Sequence, residues 1–238
     1  MKARVFTVLC SGFLLLHTNP GMAGGVPIDK IYHPYVQPNE QELEWRGVFQ
    51  DTEVGVADNF QVQRLAYGRS VSDRWFMEFY LTSEASDAES FKLNSYELEA
   101  KWQLTEQGEF WADWGLLFEL EKKSDIDAWD YSTGILVEKE WGKWSGTANF
   151  IAKREWGSAV KNDWKTRIGL QARYRYSRTF EPALEFYSGQ NTLDLGPAFM
   201  GQFRLGTKYQ LRWEAGVIFG LDESSPNRTF RFSLEFEF

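Results

Sequence analysis

Thr229-Phe230-Arg231-Phe232-Ser233-Leu234-Glu235-Phe236-Glu237-Phe238 is the stretch that decides the fold of this protein. Its apolar residues alternate with Arg231, Ser233, Glu235 and Glu237. Because successive side chains of a β-strand point to opposite faces, the pattern predicts a strand with one apolar and one charged face. Such a strand needs an apolar environment on one side and a polar environment on the other.

This stretch resembles the last strand of bacterial outer-membrane β-barrel proteins, which alternates in the same way and ends in Phe. The resemblance implies that the strand pairs with the first strand and closes a barrel. It also implies that Phe236 and Phe238 form a signal that the barrel assembly machinery reads. The resemblance concerns architecture, and architecture alone does not give function.

Residues 1–23 have the features of a secretory signal peptide. Residues 1–4 are basic, residues 5–16 are apolar but too short to cross a membrane as a helix, and small residues at Gly21 and Ala23 suit cleavage after Ala23. Cys10 follows Leu9, where a lipoprotein signal needs a small residue, so lipidation is disfavoured. Loss of Cys10 with the signal leaves no cysteine, which excludes disulfides, thiolate catalysis and cysteine-bound metal.

Composition favours a membrane β-barrel over a helical membrane protein. The mean hydropathy is -0.45, and no stretch approaches the apolar length of a transmembrane helix. Aromatic residues nevertheless make up 17% of the chain, with 11 Trp. A barrel accounts for both observations, because one face of each strand meets lipid while the other faces a polar interior. The net charge of -8 argues against a nucleic-acid partner.

Residues 41–238 contain recurring segments with a two-residue period. They predict an all-β fold, namely a transmembrane antiparallel up-and-down β-barrel of about 12 strands with its N-terminus in the periplasm. The predicted strands span 41–50, 59–69, 73–82, 91–104, 110–120, 129–141, 143–155, 164–176, 180–188, 197–206, 209–220 and 228–238. Periplasmic connections are predicted to be short and external connections longer.

Two parts of this prediction leave alternatives open. In the second strand, Phe60 and Val62 are out of phase with Leu65 and Tyr67, so either a β-bulge near Gln63 or a wrong strand assignment is expected. Residues 24–40 precede the first strand and contain three Pro. We interpret residues 24–40 as a periplasmic lead-in, and the alternative is that they fold into the lumen.

The inward faces of the predicted strands carry opposed charges. Acidic residues dominate the first six strands, and the eighth strand is a basic stripe. The residues predicted to line a pore are Glu97, Glu99, Glu138, Arg167, Arg173, Arg175, Arg212 and Glu214. Either these charges pair into a salt-bridged network that fills the lumen, or they line a water-filled pore and act on small polar or ionic solutes.

Tryptophan residues cluster near the predicted strand ends. A membrane girdle is predicted from Trp129, Trp156 and Trp164 at external ends and from Trp141 and Trp144 beside a periplasmic turn. The alternative is a stacking platform for sugars or aromatic ligands. The partners expected for a monomeric barrel are outer-membrane lipid and lipopolysaccharide, the assembly machinery and a small solute.

No catalytic residue, cofactor or metal site is predicted. His17 lies in the signal peptide and His33 precedes the first strand, so a Ser–His pair on the strands has no base. Acidic loop residues such as Asp125 and Asp127 lack the spacing of a dedicated Ca²⁺ site. The expected function is therefore a narrow channel for passive passage of small polar or ionic solutes. The alternatives are a non-conducting structural, adhesive or receptor barrel and, least favoured, a lipid-modifying enzyme.

Overall fold

Twelve antiparallel strands form a closed barrel in the computed structural model, which describes residues 28–51, 59–87, 89–190 and 192–238. The predicted signal peptide lies outside the described residues. The strands are β1 (Gln41–Asp51), β2 (Asn59–Ser70), β3 (Trp75–Ser86), β4 (Glu89–Gln103), β5 (Asp113–Lys123), β6 (Trp129–Trp141), β7 (Trp144–Trp156), β8 (Asp163–Tyr174), β9 (Glu181–Gly189), β10 (Thr192–Leu205), β11 (Tyr209–Gly220) and β12 (Arg228–Glu237). The predicted twelve-stranded up-and-down barrel is confirmed. The described part of the chain contains no helix with the length and apolar character needed to cross a membrane.

β12 closes the barrel by pairing with β1. Phe230 lies opposite Phe49, and Glu237 lies opposite Glu42. Phe230 is 45% exposed on the outside, whereas Arg231 is 3% exposed and faces the lumen. The alternation of the last strand therefore separates an apolar outer face from a charged inner face, as the sequence predicts.

The outer surface carries an apolar band around the whole barrel. Every strand contributes at least one large exposed apolar side chain: Leu43, Leu65, Phe79, Leu98, Leu120, Ile135, Phe150, Leu170, Leu184, Phe199, Phe219 and Phe230. A continuous apolar belt is far larger than the patches that water-exposed proteins present. It matches the lipid-facing surface of a transmembrane barrel, in which apolar outward residues alternate with polar inward ones.

Aromatic pairs mark both ends of the β6–β7 hairpin. We call the end at which β1 begins and β12 finishes the terminal end, and the other the opposite end. Trp129 stacks on Trp156 at the opposite end with ring centroids 6.4 Å apart. Trp141 lies opposite Trp144 at the terminal end. Trp164 is exposed at the opposite end. All five face outward, and their role as a membrane girdle stays a prediction.

A further stacked pair at the terminal end was not predicted. Trp75 and Trp102 start β3 and end β4, and their ring centroids lie 5.1 Å apart. The two residues are direct partners across the ladder. The sequence signal was available, because each of these Trp lies at a strand end on the outward phase of its strand.

The second strand needs no β-bulge. β2 pairs with β1 and β3 in continuous register from end to end. Val62 faces inward, where it is buried, and so departs from the polar pattern of the lumen without breaking the strand. The register shifts lie instead between β3 and β4, near Thr82 and Glu84. The predicted bulge near Gln63 is therefore wrong, while the strand itself is correct.

The predicted alternation of short and long connections is also wrong. At the opposite end, β3 and β4 are joined by residues 87–88 alone, and β9 and β10 by residues 190–191. At the terminal end, β4 and β5 are joined by the longer stretch 104–112. At the opposite end, strand pairing continues beyond the predicted limits, because each added pair satisfies backbone N–H and C=O groups that a loop would leave to water. At the terminal end, β5 begins at Asp113 rather than at residue 110, which lengthens its connection to β4.

A charge on the outer band tests its contact with lipid. Leu98 lies in the middle part of β4 and is 45% exposed outward. We expect Leu98→Arg to lower the free energy of unfolding in phospholipid vesicles by about 2–4 kcal/mol, because a cation there loses its water. The measurement is a guanidinium titration of the refolded barrel.

Gln107→Arg is the matched control for this substitution. It adds the same side chain to an exposed turn at the terminal end, and we expect little change in the free energy of unfolding. Equal effects of the two substitutions would show that Leu98 does not face lipid.

Candidate functional site

Residues 28–40 precede β1, and we call them the lumen segment. Residues 28–36 are buried or half-buried inside the barrel, whereas residues 37–39 are exposed at the terminal end. At the terminal end, Ser70 N–H donates to Glu40 O at 2.9 Å. Deeper in, Val36 N–H donates to Gln103 Oε1 at 2.7 Å, and Tyr35 hydroxyl donates to Asp113 Oδ2 at 2.8 Å. The sequence left open whether this stretch stays in the periplasm or enters the lumen. The contacts of its described part are with inward-facing side chains of the barrel wall.

Asn149 on β7 holds the backbone of the lumen segment. Its Oδ1 accepts from Tyr32 N–H at 2.7 Å, and its Nδ2 donates to Tyr32 O at 2.8 Å. These two bonds satisfy both backbone groups of one residue, as a neighbouring strand would. Asn149 is buried, so the pair is shielded from water. Loss of the amide leaves two backbone groups unpaired, at a cost of about 1–3 kcal/mol each.

Ion pairs tie the lumen segment to the first two strands. Asp29 lies 2.7 Å from Arg46 and 3.1 Å from Arg64. Both guanidinium groups therefore compensate the charge of the buried Asp29 carboxylate. Lys30 contacts Glu235 at 2.8 Å and Glu44 at 3.3 Å. Arg46 is 2% exposed and therefore depends on these partners.

Polar side chains of the segment also reach the acidic wall. Tyr32 hydroxyl donates to Glu99 Oε2 at 2.9 Å and lies 3.3 Å from Glu119 Oε1. His33 Nδ1 is hydrogen-bonded to Glu138, which also accepts from Thr147 at 3.1 Å. These contacts reach strands β4 to β7. Together with the ion pairs to β1, β2 and β12, they show that the segment crosses the lumen and contacts opposite walls.

Two small apolar clusters also hold the lumen segment against the barrel wall. Ile28 and Ile31 pack with Tyr187 and Ile218. Tyr32 packs with Leu117, Leu136 and Ile151. These wall residues face inward, where a water-filled lumen favours polar side chains. These apolar contacts of the lumen segment were not predicted. Apolar residues on the inner phase of five strands were the feature of the sequence that indicated them.

Two inward glycines make room for the segment. A Cβ atom at Gly169 on β8 would lie 2.7 Å from Ile31 Cδ1. A Cβ atom at Gly115 on β5 would lie 3.0 Å from Pro34 Cβ. Such distances are shorter than normal carbon contacts, so larger side chains at these positions would push the segment away from the wall.

Seven of the eight predicted pore-lining residues lie on the inner face of their strands, and Arg175 lies just beyond the end of β8. Few of the predicted facing pairs are in contact. Arg173 approaches Glu138 at 3.4 Å. Arg175 binds Glu140 at 2.8 Å instead. Glu97 approaches Arg64 at 3.4 Å.

The other predicted residues have partners that the sequence did not suggest. Arg167 is 4.0 Å from Glu119, and Glu99 binds Tyr32 of the lumen segment. Arg212 binds Glu237 at 2.6 Å, and Glu214 binds Arg231 at 2.7 Å. The interior is therefore a connected network rather than two ladders that face each other across an open lumen.

Strand register places the acidic residues in two rows. The first row runs through Glu237, Glu42, Gly68, Glu78, Glu99 and Glu119. The second runs through Glu235, Glu44, Ala66, Tyr80, Glu97, Glu121, Asp130 and Glu155. Like charges on directly opposite residues destabilise a sheet. The rows therefore need cations or hydrogen-bond donors close by.

A recess lies on one side of the lumen segment, with about 340 Å³ of space that includes its opening to solvent. Charges of both signs line it, together with two valines. The lining residues are Asp29, Arg46, Val48, Val62, Arg64, Thr82, Glu84, Glu121 and Lys123. The enclosed part of this space has room for about one water molecule.

Neither a family model nor a curated protein matches this sequence. Solved structures do match. An outer-membrane channel from Pseudomonas putida F1 is 17% identical, with a TM-score of 0.55, over 93% of this chain and 99% of that one. The NanC porin is 13% identical, with a TM-score of 0.55, over 82% and 98% of the two chains. The KdgM porin in complex with disordered oligogalacturonate is 12% identical, with a TM-score of 0.53, over 83% and 98%. The chain therefore has the fold of bacterial outer-membrane porins.

Proposed function

We propose that this protein is an outer-membrane channel for the passive passage of small polar or ionic solutes, and that the lumen segment restricts the pathway. The observation that carries this proposal is the way the segment is held. Most of its contacts are hydrogen bonds and ion pairs to a charged wall, and water can replace such contacts. A wet, charged lumen is also what selects ions and polar solutes in pores.

The charges of the wall suggest the class of solute. The two acidic rows lie on β12 and β1 to β7, and Arg167, Arg173 and Arg175 lie on and just beyond β8. A solute beside the segment therefore meets negative charge on one side and positive charge on the other. This arrangement favours small dipolar or ionic solutes. The KdgM porin was solved with oligogalacturonate, but the acidic wall of this chain argues against a polyanion of that kind.

A non-conducting barrel is the second candidate, and the burial of the charged residues favours it. Glu138 and Glu185 are fully buried, as is Arg231, and all three are paired. A lumen filled in this way acts as a polar core. An enzyme is the least supported class, because the solved structures with the same fold that are described above are porins or channels and His33 is engaged with Glu138.

The orientation and partners follow from this proposal. We place the terminal end in the periplasm, with outer-membrane lipid and lipopolysaccharide around the apolar band. Phe236 and Phe238 stack on each other with centroids 5.9 Å apart at the end of β12, where the assembly machinery is proposed to read them. We propose a monomer, since β1 and β12 leave no free strand edge in the closed sheet.

Planar-bilayer conductance of the refolded chain from residue 24 tests the channel and the role of the segment together. We expect small, infrequent current steps from this chain. Deletion of residues 24–36 should give larger steps, because it removes the side chains that cross the lumen. Asn149→Ala should make openings more frequent, because it removes both hydrogen bonds to Tyr32.

Asn227→Ala is the matched control, since it removes the same amide from an exposed loop. Heat-modifiable migration on gels establishes that each variant is folded. A folded deletion variant that passes no current would exclude the channel and favour the non-conducting barrel.

Ion selectivity tests the pore-lining residues. In a salt gradient, Arg173→Glu combined with Arg175→Glu should shift the reversal potential toward cation selectivity, because two positive charges of the lumen become negative. The control is Lys161→Glu combined with Arg178→Glu, which makes the same change of charge at exposed positions outside the strands. If both double variants shift the potential equally, Arg173 and Arg175 do not line the pathway.

A further inference from the structure

Glu42 is a buried carboxylate that no donor among the described residues contacts. It lies on β1 at the terminal end and is 4% exposed. Within the described residues, no hydrogen bond or ion pair reaches its side chain. A charge held in this way is costly unless something compensates it, because burial removes the water that stabilises the charge.

The other carboxylates of the same row are all compensated. Glu237 binds Arg212 at 2.6 Å, and Glu78 accepts from Tyr80 hydroxyl at 2.8 Å. The Tyr32 hydroxyl is within hydrogen-bonding distance of both Glu99 and Glu119. Glu42 thus stands apart within a row whose other members each have a donor.

Other carboxylates surround Glu42 on both sides. Oxygen atoms of Glu42, Glu44 and Glu78 lie within 4.8 Å of one another, and so do those of Glu40, Glu42 and Glu237. In the first group all three residues are buried, and Glu78 Oε1 also has no hydrogen-bond partner. Two oxygen-bearing side chains therefore point into the same small volume with unused acceptors.

Gly68 makes this volume possible. In the ladder it lies between Glu42 on β1 and Glu78 on β3. A Cβ atom at Gly68 would come within 2.4 Å of Glu78 Cγ. Any larger residue would displace Glu78, so the glycine keeps the two carboxylates close across the strand that separates them.

Nearby cations are committed to other acids. Lys30 binds Glu44 and Glu235, and Arg46 binds Glu44 and Asp29. Arg212 lies near Glu237, Glu235 and Glu40. Among the described residues, no cation contacts Glu42 or Glu78. Their two negative charges equal the charge that one divalent cation would balance.

We propose that Glu42 and Glu78 bind a divalent metal ion beside Glu44, and that Ca²⁺ is the ion that fits. Carboxylate oxygens are the ligands that Ca²⁺ prefers, at about 2.3–2.6 Å. The carboxylate oxygens of Glu42, Glu44 and Glu78 lie within 4.8 Å of one another, so rotation of the Glu42 and Glu78 side chains brings both within reach of one ion. Glu44 keeps its bonds to Arg46 and Lys30. Water supplies the remaining ligands. The bound ion links β1 to β3 across Gly68, next to the contact of Lys30 with Glu44.

Calorimetric titration with CaCl₂ tests this site on the refolded chain in detergent, after EDTA treatment. We expect one bound Ca²⁺ per chain. Glu42→Gln and Glu78→Gln should each lose it, because the amide keeps the shape of the side chain and removes its charge. Glu223→Gln, in an exposed loop, should bind Ca²⁺ as the unmodified chain does.

Heat-modifiable migration provides a second measurement that does not depend on calorimetry. At a Ca²⁺ concentration about 100 times the dissociation constant, the unfolding temperature of the unmodified chain should rise by about 5–10 °C. Glu42→Gln should fold in EDTA at least as well as the unmodified chain, because it removes an uncompensated charge, and should show no rise with Ca²⁺.

Three outcomes would overturn the proposal. Absence of Ca²⁺ binding to the unmodified chain would show that a proton, rather than a metal ion, neutralises Glu42. Unchanged binding in Glu42→Gln and Glu78→Gln would place the ion elsewhere. Loss of binding in Glu97→Gln alone would assign it to the separate group of Glu97, Glu99 and Glu119.

Discussion

Compensation of inward-facing charge is the constraint on which this structure depends. Closure of the sheet satisfies the backbone and leaves an apolar band outside, and both rows of acidic residues face the lumen. The ladder then sets Glu42 opposite Glu237 and Glu78 opposite Glu99. These like charges repel at short range. The wall is therefore stable only where a base, a hydroxyl or an ion lies beside each acid.

The lumen segment supplies part of that compensation and is therefore part of the fold. Lys30 and the Tyr32 hydroxyl approach acids on β12, β1, β4 and β5. Asp29 in turn neutralises Arg46 and Arg64. Displacing the segment exchanges these contacts for water, and the exchange is less costly than opening an apolar core. A polar plug is for this reason compatible with both closed and open lumens.

The strands were predictable because their signal is local, whereas the lumen was not. Alternation within ten residues is enough to identify β12, and the charged phase of each strand identifies its inner face. Tyr32 and Asn149 lie 117 positions apart, and no spacing rule connects them. The predicted Glu–Arg pairs across the lumen were mostly wrong for the same reason. Arg175 lies near Glu140 because of the register among β6, β7 and β8, and alternation within a strand does not give that register. Leu117, Leu136 and Ile151 are the exception. They face a polar lumen, so the sequence could have predicted that they contact an apolar partner inside it.

The proposed metal site has no recognisable sequence motif for the same reason. Glu42 and Glu44 are two residues apart on β1, which is merely the period of the strand, and Glu78 joins them only through the register across Gly68. Local spacing therefore carries no more information than an ordinary polar face. What distinguishes the site is an unequal distribution of partners, in which neighbouring acids have donors and Glu42 has none among the described residues. In a lumen built on charge compensation, this imbalance is the observation on which the proposed ligand position rests.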